Sequence, residues 1–514
     1  PKRREHRGLF TRRLLILMAV FLLAGSAVLA RLAVLQAAGH EEFDRKRFLQ
    51  VGGDHIVHTT RGGIYTRYGV PLAVDVPEFD LGVYYGDLPS DDWVDEAARL
   101  SGRPRHELRV KADEIIRRVE RIRESVCRRN NNPDLHVPEE YEHYAVAENI
   151  PVEAAAAVRV HAEGFSSLRV LERTARRHPH SALAPHVVGV VSRINEATWS
   201  ELGEEGRTWN RLDGVPHVGS RYLMDDSIGV SGIERRYERA LRGTRGHVIN
   251  RLHVGVLSVE TSQEKTPPRA GADVYLTLRA DFQQAAQRAL AWAAEQPALD
   301  FDAGALIVLD VNSGAVLASA TWPTYDLAEY RNNYADILRR PNQPLFYRPL
   351  LAQLPSGSVF KIATAIAALQ EGKITTATRE TCHQVATFAG RRFRCEGYHR
   401  QIALIRAIER SCNIYFYKVG LKVGGGALAE WGRRLGIGMP TGVDLSEAAG
   451  QLPDPSGTHG TVNLSIGQGA LLCTPLQVAN LMALVANGGR LYTPHFLHHQ
   501  VQAGGEVDLY EPEH

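Results

Sequence analysis

The sequence has few cysteines, no internal repeat and almost no net charge, and these absences exclude several classes of protein. Five cysteines in 514 residues are too few for a disulfide-stapled scaffold. The formal charge of +2 lacks the concentrated basic excess that binding to phosphate backbones requires, so we expect no nucleic-acid partner. With 44% hydrophobic and 23% charged residues, the chain can bury real cores and is not disordered overall.

Long uncharged hydrophobic runs are also scarce, and the one that stands out lies near the N-terminus. It reads LLILMAVFLLAGSAVLA and follows six basic residues in the tail 1–13. Because about 20 residues cross a bilayer as a helix, residues 14–35 are predicted to be a transmembrane anchor. The positive-inside rule then keeps the tail in the cytoplasm and places the bulk of the chain outside the inner (plasma) membrane. A cleaved signal peptide is the alternative.

The rest of the chain divides near Pro267, where the composition shifts. Residues 40–265 mix β-like runs with a charged helix over 105–130, and we predict that they form a mixed domain rich in β-structure. In residues 266–514 the segment GALIVLDVNSGAVLASA (304–320) predicts an apolar hairpin at the centre of a sheet covered on both faces. This second part is therefore expected to be an α/β or α+β domain, a sheet covered by helices.

The stretch LPSGSVFK (354–361) raises the question of whether one of its serines is a nucleophile. A helical pattern begins after Gly357, which places Ser358 at a helix start with Lys361 three residues later on the same face. A lysine there can accept the serine proton if burial lowers its pKa. Ser356 lies outside the helix and has no such partner. Taken alone, Ser358 is better explained as a plain helix cap, since Ser-x-x-Lys is common by chance.

A second motif favours the catalytic interpretation. Where a later helical run breaks, Ser411-Cys412-Asn413 places a hydroxyl and an amide two residues apart, so both can face one cleft while the cysteine faces away. The serine could relay a proton, and the amide could hold the lysine or a substrate carbonyl. The catalytic candidates are Ser358, Lys361, Ser411 and Asn413.

By pairing Ser-x-x-Lys with Ser-x-Asn, the chain resembles the penicillin-binding proteins and serine β-lactamases, which add Lys-Thr-Gly downstream. The likeness extends to RGGIYTRYGVPLA (61–73), GVSGIERRYERALRGTRG (229–246) and LSIGQGALLCTPLQVANLMALVANGG (464–489). It points to class B, the monofunctional transpeptidases, with elongation-type members first and division-type members second. No Lys-Thr-Gly follows residue 489, and we expect that the sequence is cut before that strand, a defective protein being the other possibility.

The resemblance implies a membrane-anchored peptidoglycan D,D-transpeptidase that serves cell elongation and shape. Ser358 would attack the penultimate D-alanine carbonyl of a stem peptide, and Lys361 would take its proton. Ser411 would relay a proton to the departing D-alanine, Asn413 would position groups in the cleft, and β-lactams would trap Ser358 as a stable ester. The family also implies that residues 40–265 are a non-catalytic, dimerisation-type pedestal and that a SEDS-type glycosyltransferase is a partner.

Three other functions stay open at this point. A division-type transpeptidase would share the motifs, and a β-lactamase or carboxypeptidase would need a deacylating water but no large N-terminal half. A non-catalytic scaffold or β-lactam sensor of the same fold is the alternative from a different class. Retention of Lys-Thr-Gly in the full reading frame would favour an enzyme.

Three of the five cysteines lie near the catalytic motifs in the pattern Cys382-x12-Cys395-x3-His399-x12-Cys412. Because Cys₃His is a known structural zinc set and Cys-x3-His is a plausible ligand spacing, we predict a zinc ion behind the Ser-x-Asn loop. A Cys382–Cys395 disulfide, reasonable outside the cytoplasm, and unconnected thiols are the alternatives. His383 is a competing ligand. No redox or phosphate cofactor is implied.

Overall fold

The structure of the protein is a computed structural model. It describes residues 16–31, 55–131, 133, 135, 137–160, 167–202, 221–223, 226–254 and 259–514. Residues 16–31 form a helix within the predicted anchor 14–35, whose other residues, like the tail 1–13, lie outside the described ones. In the described part of the chain, no helix is both long enough and apolar enough to cross a membrane. The anchor therefore stays a prediction.

The described strands are short apart from four longer ones. In chain order they are β1 (His55–Val57), β2 (Ile64–Tyr65), β3 (Pro71–Tyr84), β4 (His143–Ala147), β5 (Leu168–Arg177), β6 (Val191–Arg193), β7 (Ser227–Gly229), β8 (Gly246–Val254), β9 (Val259–Thr266), β10 (Asp273–Leu276), β11 (Gly304–Leu309), β12 (Val316–Trp322), β13 (Arg379–Cys382), β14 (Val385–Phe388), β15 (Arg391–Arg394), β16 (Arg400–Ala403), β17 (Leu497–Val501) and β18 (Val507–Leu509).

The described helices are distributed over both halves of the chain. In chain order they are α1 (16–31), α2 (Val94–Ser101), α3 (Arg105–Asn130), α4 (Val152–Val160), α5 (Pro185–Val188), α6 (Glu196–Glu201), α7 (Gly232–Arg236), α8 (Glu238–Leu241), α9 (Ala280–Ala294), α10 (Leu327–Arg339), α11 (Arg348–Leu351), α12 (Phe360–Gln370), α13 (Leu404–Glu409), α14 (Asn413–Val423), α15 (Gly425–Arg434), α16 (Gly457–Leu464) and α17 (Pro475–Ala486).

The chain separates into two compact units. One unit contains β1, β8 and β9, which form a three-stranded antiparallel sheet with β8 in the centre. The other is formed by the described residues of Thr59–Ser200, Asp225–Gly243 and Arg269–His514, and it carries the catalytic candidates. The boundary predicted between residues 265 and 266 stays a prediction.

The larger unit has a seven-stranded sheet built from distant parts of the chain. Its strand order is β18-β17-β10-β2-β3-β4, and β5 pairs with β3 along ten residues. Strand β10 pairs in parallel with β2 and antiparallel with β17, so this sheet joins the segment after residue 61 to the segment after residue 271. The predicted helix over 105–130 is confirmed as α3, whose narrow apolar stripe is buried at Leu108, Ile115 and Val119.

Buried charges connect the two segments that carry the N-terminal part of the family likeness. The Arg61 guanidinium donates to Glu234 Oε2 and to Glu238 Oε2, each at 2.7 Å, and Arg176 Nε donates to Glu234 Oε1 at 2.7 Å. The side chain of Glu234 has no exposed surface. Because a buried carboxylate is tolerated only when it is paired and hydrogen-bonded, these arginines stabilise its charged form in the interior.

The predicted hairpin is confirmed, but its expected position at the centre of a larger sheet is wrong for the described residues. Strands β11 and β12 pair antiparallel and form a sheet of only two strands. Helix α9 packs on them through Ala286 and Leu290, against Ala318 and Ala320. Helices α11 and α17 also contact β11, so it has helical cover, but the described residues supply no further strand for its second edge.

Helix α12 is central to the largest apolar core and fixes the position of the catalytic candidates. It contacts α14 and α15, and its buried residues include Phe360, Ala363, Ala367 and Ala368. A 3₁₀ turn over Gly357–Val359 leads into this helix. The helix therefore begins two residues later than the sequence pattern predicts, and the lysine lies inside it while the serine lies just before it.

Candidate active site

The first two catalytic candidates differ in exposure as a nucleophile and its base should. Ser358 is exposed, whereas Lys361 in the first turn of α12 is only 2% exposed. The Lys361 Nζ atom lies 3.1 Å from the Ser358 Oγ atom. The predicted arrangement on one helical face is thus present, even though the serine occupies a 3₁₀ turn.

The Ser-x-Asn segment closes over the same lysine. Lys361 Nζ donates to Ser411 Oγ at 2.8 Å, to the Ser411 carbonyl oxygen at 2.9 Å and to Asn413 Oδ1 at 2.6 Å. Ser411 Oγ also donates to Ser358 Oγ at 3.0 Å. The four residues predicted from the sequence therefore form one hydrogen-bonded cluster, and Cys412 between the two motif residues is buried behind it, as expected.

Burial sets the protonation behaviour of the lysine. Desolvation lowers the pKa of Lys361 below its ordinary value of 10.5, and the nearby thiols of Cys395 and Cys412 and the carboxylate of Glu396 oppose this shift only in part. A lysine whose neutral form is favoured can accept a proton from a hydroxyl within hydrogen-bonding distance. The geometry and the pKa direction both suit a general base for Ser358.

The segment Gly467-Gln468-Gly469 positions the turn that carries Ser358, a role that the chemistry of its side chains did not predict. Gly357 N donates to the Gly467 carbonyl oxygen at 2.9 Å, which fixes the turn that carries Ser358. Gly467 has a φ of +72°, and a Cβ atom there would lie 2.2 Å from the Gly357 carbonyl oxygen. Only glycine fits at this close approach. The sequence feature that could have indicated this role is the short run of small and polar residues between two apolar segments.

The four predicted metal ligands also come together. The ligand atoms of Cys382, Cys395, His399 and Cys412 all lie within 4.8 Å of one another. His399 Nδ1 lies 3.6 Å from the sulfur atoms of both Cys382 and Cys395, and Cys395 Sγ lies 4.0 Å from Cys412 Sγ. Strand ends and a helix start position them, since Cys382 ends β13, Cys395 follows β15 and Cys412 precedes α14. The competing ligand His383 lies outside this group and bonds to the Tyr398 hydroxyl at 3.0 Å instead.

Three of the separations in this four-residue sulfur cluster, at 3.6, 3.6 and 4.0 Å, are close to those of a tetrahedral zinc site. Bonds of about 2.3 Å to sulfur and 2.0–2.1 Å to nitrogen imply neighbouring ligand atoms roughly 3.5–3.8 Å apart. The cysteines are unbonded to one another in the structure. Burial raises the pKa of the Cys412 thiol to about 12. Burial also disfavours the charged thiolate form of Cys395, but backbone N–H groups directed at its sulfur outweigh that effect and lower the pKa of this thiol.

Comparison with known proteins identifies the two parts of the chain. A family model for the penicillin-binding protein dimerisation domain matches residues 56–276, and one for the penicillin-binding protein transpeptidase domain matches residues 304–513. Together the two cover most of the sequence. The resemblance drawn from the motifs is therefore confirmed.

Curated relatives match almost the whole chain. Peptidoglycan D,D-transpeptidase MrdA of Escherichia coli (strain K12) is 27% identical over 98% of this chain and 77% of its own length. The MrdA protein of Acinetobacter baumannii is 26% identical over 96% of this chain and 70% of its own length.

Solved structures agree with this assignment. A structure described as the coordination of polymerization and crosslinking by a peptidoglycan synthase complex superposes with a TM-score of 0.64, at 26% identity over 98% of this chain and 81% of its own. Penicillin-binding protein PBP2 of Helicobacter pylori, in a complex with MreC, superposes with a TM-score of 0.67 over 86% of this chain and 78% of its own, and at 24% identity it shows the fold. The chain belongs to the class B penicillin-binding proteins, in which a dimerisation domain precedes a transpeptidase domain.

Proposed function

We propose that this protein is an elongation-type peptidoglycan D,D-transpeptidase that cross-links stem peptides through an acyl-enzyme on Ser358. The observation that carries the proposal is the buried Lys361 amine, held within 3.1 Å of Ser358 Oγ and within 2.9 Å of oxygen atoms of Ser411 and Asn413. The names of the MrdA relatives support the same reaction.

The contacts suggest how protons move during acylation. Neutral Lys361 takes the Ser358 hydroxyl proton as Oγ attacks the penultimate D-alanine carbonyl, and the tetrahedral intermediate carries a negative charge on the former carbonyl oxygen. Ser411 Oγ lies 2.8 Å from the amine and 3.0 Å from Ser358 Oγ, so it can pass that proton to the departing D-alanine nitrogen. An amine from a neighbouring stem peptide then attacks the ester, forms the cross-link and releases the serine.

Asn413 and the backbone at Ser358 have supporting roles in this scheme. Asn413 Oδ1, at 2.6 Å from the lysine Nζ, keeps the amine directed at the two hydroxyls. The Ser358 backbone N–H would supply part of the oxyanion hole, because a fixed donor at that point stabilises the charge that develops on the substrate oxygen. β-Lactams would acylate Ser358 by the same steps, and the resulting ester would not react further.

The location and partners are part of the proposal. The hydrophobic run within residues 14–35, preceded by six basic residues, suits a single-pass anchor of the inner membrane with the bulk of the chain outside the cytoplasm. A similar solved structure belongs to a peptidoglycan synthase complex. A SEDS-type glycosyltransferase that polymerises the glycan is therefore the partner that we propose.

The first experiment maps the penicillin adduct. The protein is made from its full reading frame, incubated with a penicillin and digested, and the adduct is located by peptide mass. Because Ser356 and Ser358 fall in one peptide, S358A and S356A are compared. We expect an adduct in wild type and in S356A, and none in S358A. No adduct on a folded wild-type protein that contains Lys-Thr-Gly would refute the transpeptidase and favour the scaffold or sensor.

We also propose that Cys382, Cys395, His399 and Cys412 hold a structural zinc ion. The support is the near-tetrahedral spacing of the sulfur cluster and its chemistry, three soft thiolate ligands and one imidazole, both of which zinc binds well. Bound there, the metal would neutralise the thiolates and join strands β13 and β15 to the loop that carries Ser411. No proton transfer at Ser358 passes through it.

Metal analysis of the purified protein tests this site. We expect about one zinc ion per chain, its loss in C412S, and its retention in C473S, which removes a buried cysteine outside the cluster. A chelator should lower the midpoint of thermal unfolding of wild type but not that of metal-free C412S. A metal-free wild type with two fewer titratable thiols than cysteines would instead establish the Cys382–Cys395 disulfide.

A further inference from the structure

The segment between the two catalytic motifs concentrates positive charge beside the site. Residues 379–410 contain seven arginines and three glutamates and have neither lysine nor aspartate, which gives a net charge of +4. The whole chain of 514 residues carries only +2. All seven arginines are exposed. The near-neutral composition therefore conceals a local excess next to Ser358.

Most of these arginines have no acidic partner in the described part of the chain. Glu409 is shared by Arg406 and Arg410, and Glu380 pairs with two lysines of α14. Five exposed guanidinium groups have no carboxylate within 4.0 Å among the described residues. They belong to Arg379, Arg391, Arg392, Arg394 and Arg400.

Strand β15 aims two of these side chains away from the core. Phe393 is buried in the core that contains α12, and because side chains alternate along a strand, Arg392 and Arg394 lie together on the opposite, solvent-facing side. Their cross-strand partners, Thr387 and Val385, share that side, so no carboxylate of β14 opposes them. Two adjacent, unpaired guanidinium groups can bind carboxylates in bidentate geometry.

A hydrogen bond places this strand directly against the catalytic cluster. Asn413 Nδ2 donates to the Arg394 carbonyl oxygen at 3.3 Å, while Oδ1 of the same amide accepts from Lys361 Nζ at 2.6 Å. The end of β15 is thus one side chain away from the proposed base. A peptide whose terminal carbonyl reaches Ser358 would extend its remaining residues within range of nearby surface charges.

We propose that Arg392 and Arg394 form a subsite that binds the side-chain carboxylates of an acidic stem peptide and selects it over an amidated one. This inference rests on the proposed function and adds a substrate preference to it. Stem peptides are anionic where their side-chain carboxylates are free and lose that charge when these are amidated. Charged groups at the rim of a site contribute mainly selectivity and rate of encounter, and salt screens them.

The test compares an acidic stem peptide with the same peptide amidated at its side-chain carboxylates. Both the equilibrium affinity and the rate of Ser358 acylation are measured for wild type, for R392Q/R394Q and for R339Q/R340Q. The last variant removes the same charge from two exposed arginines at the end of α10, which have their own acidic partners. We expect the acidic-over-amidated preference to fall by about 2- to 30-fold in R392Q/R394Q, the range for two exposed ion pairs, and to persist in R339Q/R340Q.

The outcomes separate this proposal from the function on which it rests. Wild type that folds but takes no penicillin on Ser358 would refute the transpeptidase, while the affinity ratio would still test the subsite. An unchanged ratio in R392Q/R394Q, or no loss of preference in 1 M salt, would overturn the subsite. If R392Q/R394Q instead lost binding to phosphatidylglycerol vesicles and kept the peptide preference, Arg392 and Arg394 would form a lipid contact and the subsite would be wrong.

Discussion

Replacement of Lys361 is the sharpest test of the proposed chemistry. Lys361 is 2% exposed, and its amine lies within hydrogen-bonding distance of four oxygen atoms, of which Ser358 Oγ is the one that must lose a proton. Two variants separate its possible roles. Lys361→Met removes both the charge and the base, whereas Lys361→Arg keeps a positive charge that cannot be deprotonated in a protein.

The expected loss follows from the role assigned to the amine. General base catalysis contributes about 10²- to 10⁴-fold, which corresponds to roughly 3–5 kcal/mol of activation free energy. Both variants should therefore form the acyl-enzyme with a fluorescent penicillin at least 100-fold more slowly than wild type. A stopped-flow trace gives the rate, and circular dichroism shows that each variant is folded. If the arginine variant kept more than a tenth of the wild-type rate, the lysine would act through its charge and not as a base.

The pH dependence of acylation and of stability gives a second, independent test of the role of Lys361. Because burial lowers the pKa of Lys361, the acylation rate should rise with pH and level off below 10.5, the ordinary value for lysine. Between the folded-state pKa and 10.5 the unfolded chain binds more protons than the folded one, so the free energy of unfolding should also rise with pH in that window. The increase should be absent in Lys361→Met. A wild-type rate that is flat from pH 6 to pH 10 would contradict the base role.

Two further substitutions test the scaffold around the site. Glu234→Gln should lower the free energy of unfolding by about 1.5–3 kcal/mol in urea titrations, because Arg61 and Arg176 lose the charge of the carboxylate that they share and keep only Glu238 and Asp75 as acidic partners. Arg105→Gln, which breaks an exposed pair, should cost at most about 1 kcal/mol. Gly467→Ala should slow penicillin acylation at least tenfold, because the added Cβ atom would collide with the Gly357 carbonyl oxygen. Gly488 also has a positive φ, but the space around it is open, so Gly488→Ala should leave the acylation rate unchanged. Equal effects of the two members in either pair would count against the structural explanation.

The catalytic cluster could be predicted because each motif fixes its own local geometry. A spacing of three residues at a helix start brings Ser358 and Lys361 together, whatever surrounds them. Alternation in Ser411-Cys412-Asn413 likewise separates the cleft face from the buried face. The prediction that the two motifs share one site came from the family resemblance, because no local pattern indicates that residues 50 positions apart in the sequence will lie in contact.

The remaining features depend on contacts over long distances in the sequence, which local patterns do not encode. Pairing of β2 with β10 depends on the fold of more than 200 intervening residues. The role of Gly467 depends on the turn at Gly357, which lies 110 residues earlier. The arginine excess of residues 379–410 is contiguous in the sequence, but the near-zero net charge of the whole chain concealed it, since composition averages over all 514 residues.

The backbone at Ser411 joins the catalytic cluster to the sulfur cluster. Its φ of +49° is uncommon for a residue other than glycine, and such a conformation persists only where the surroundings hold it. Two bonds from Lys361 hold it on the cleft side, and the buried Cys412 side chain holds it from behind. A strained residue held from two sides should relax when either support is removed. Loss of the sulfur cluster should therefore slow acylation at Ser358 before it unfolds the domain, and this would distinguish a centre that supports catalysis from one that only stabilises the fold.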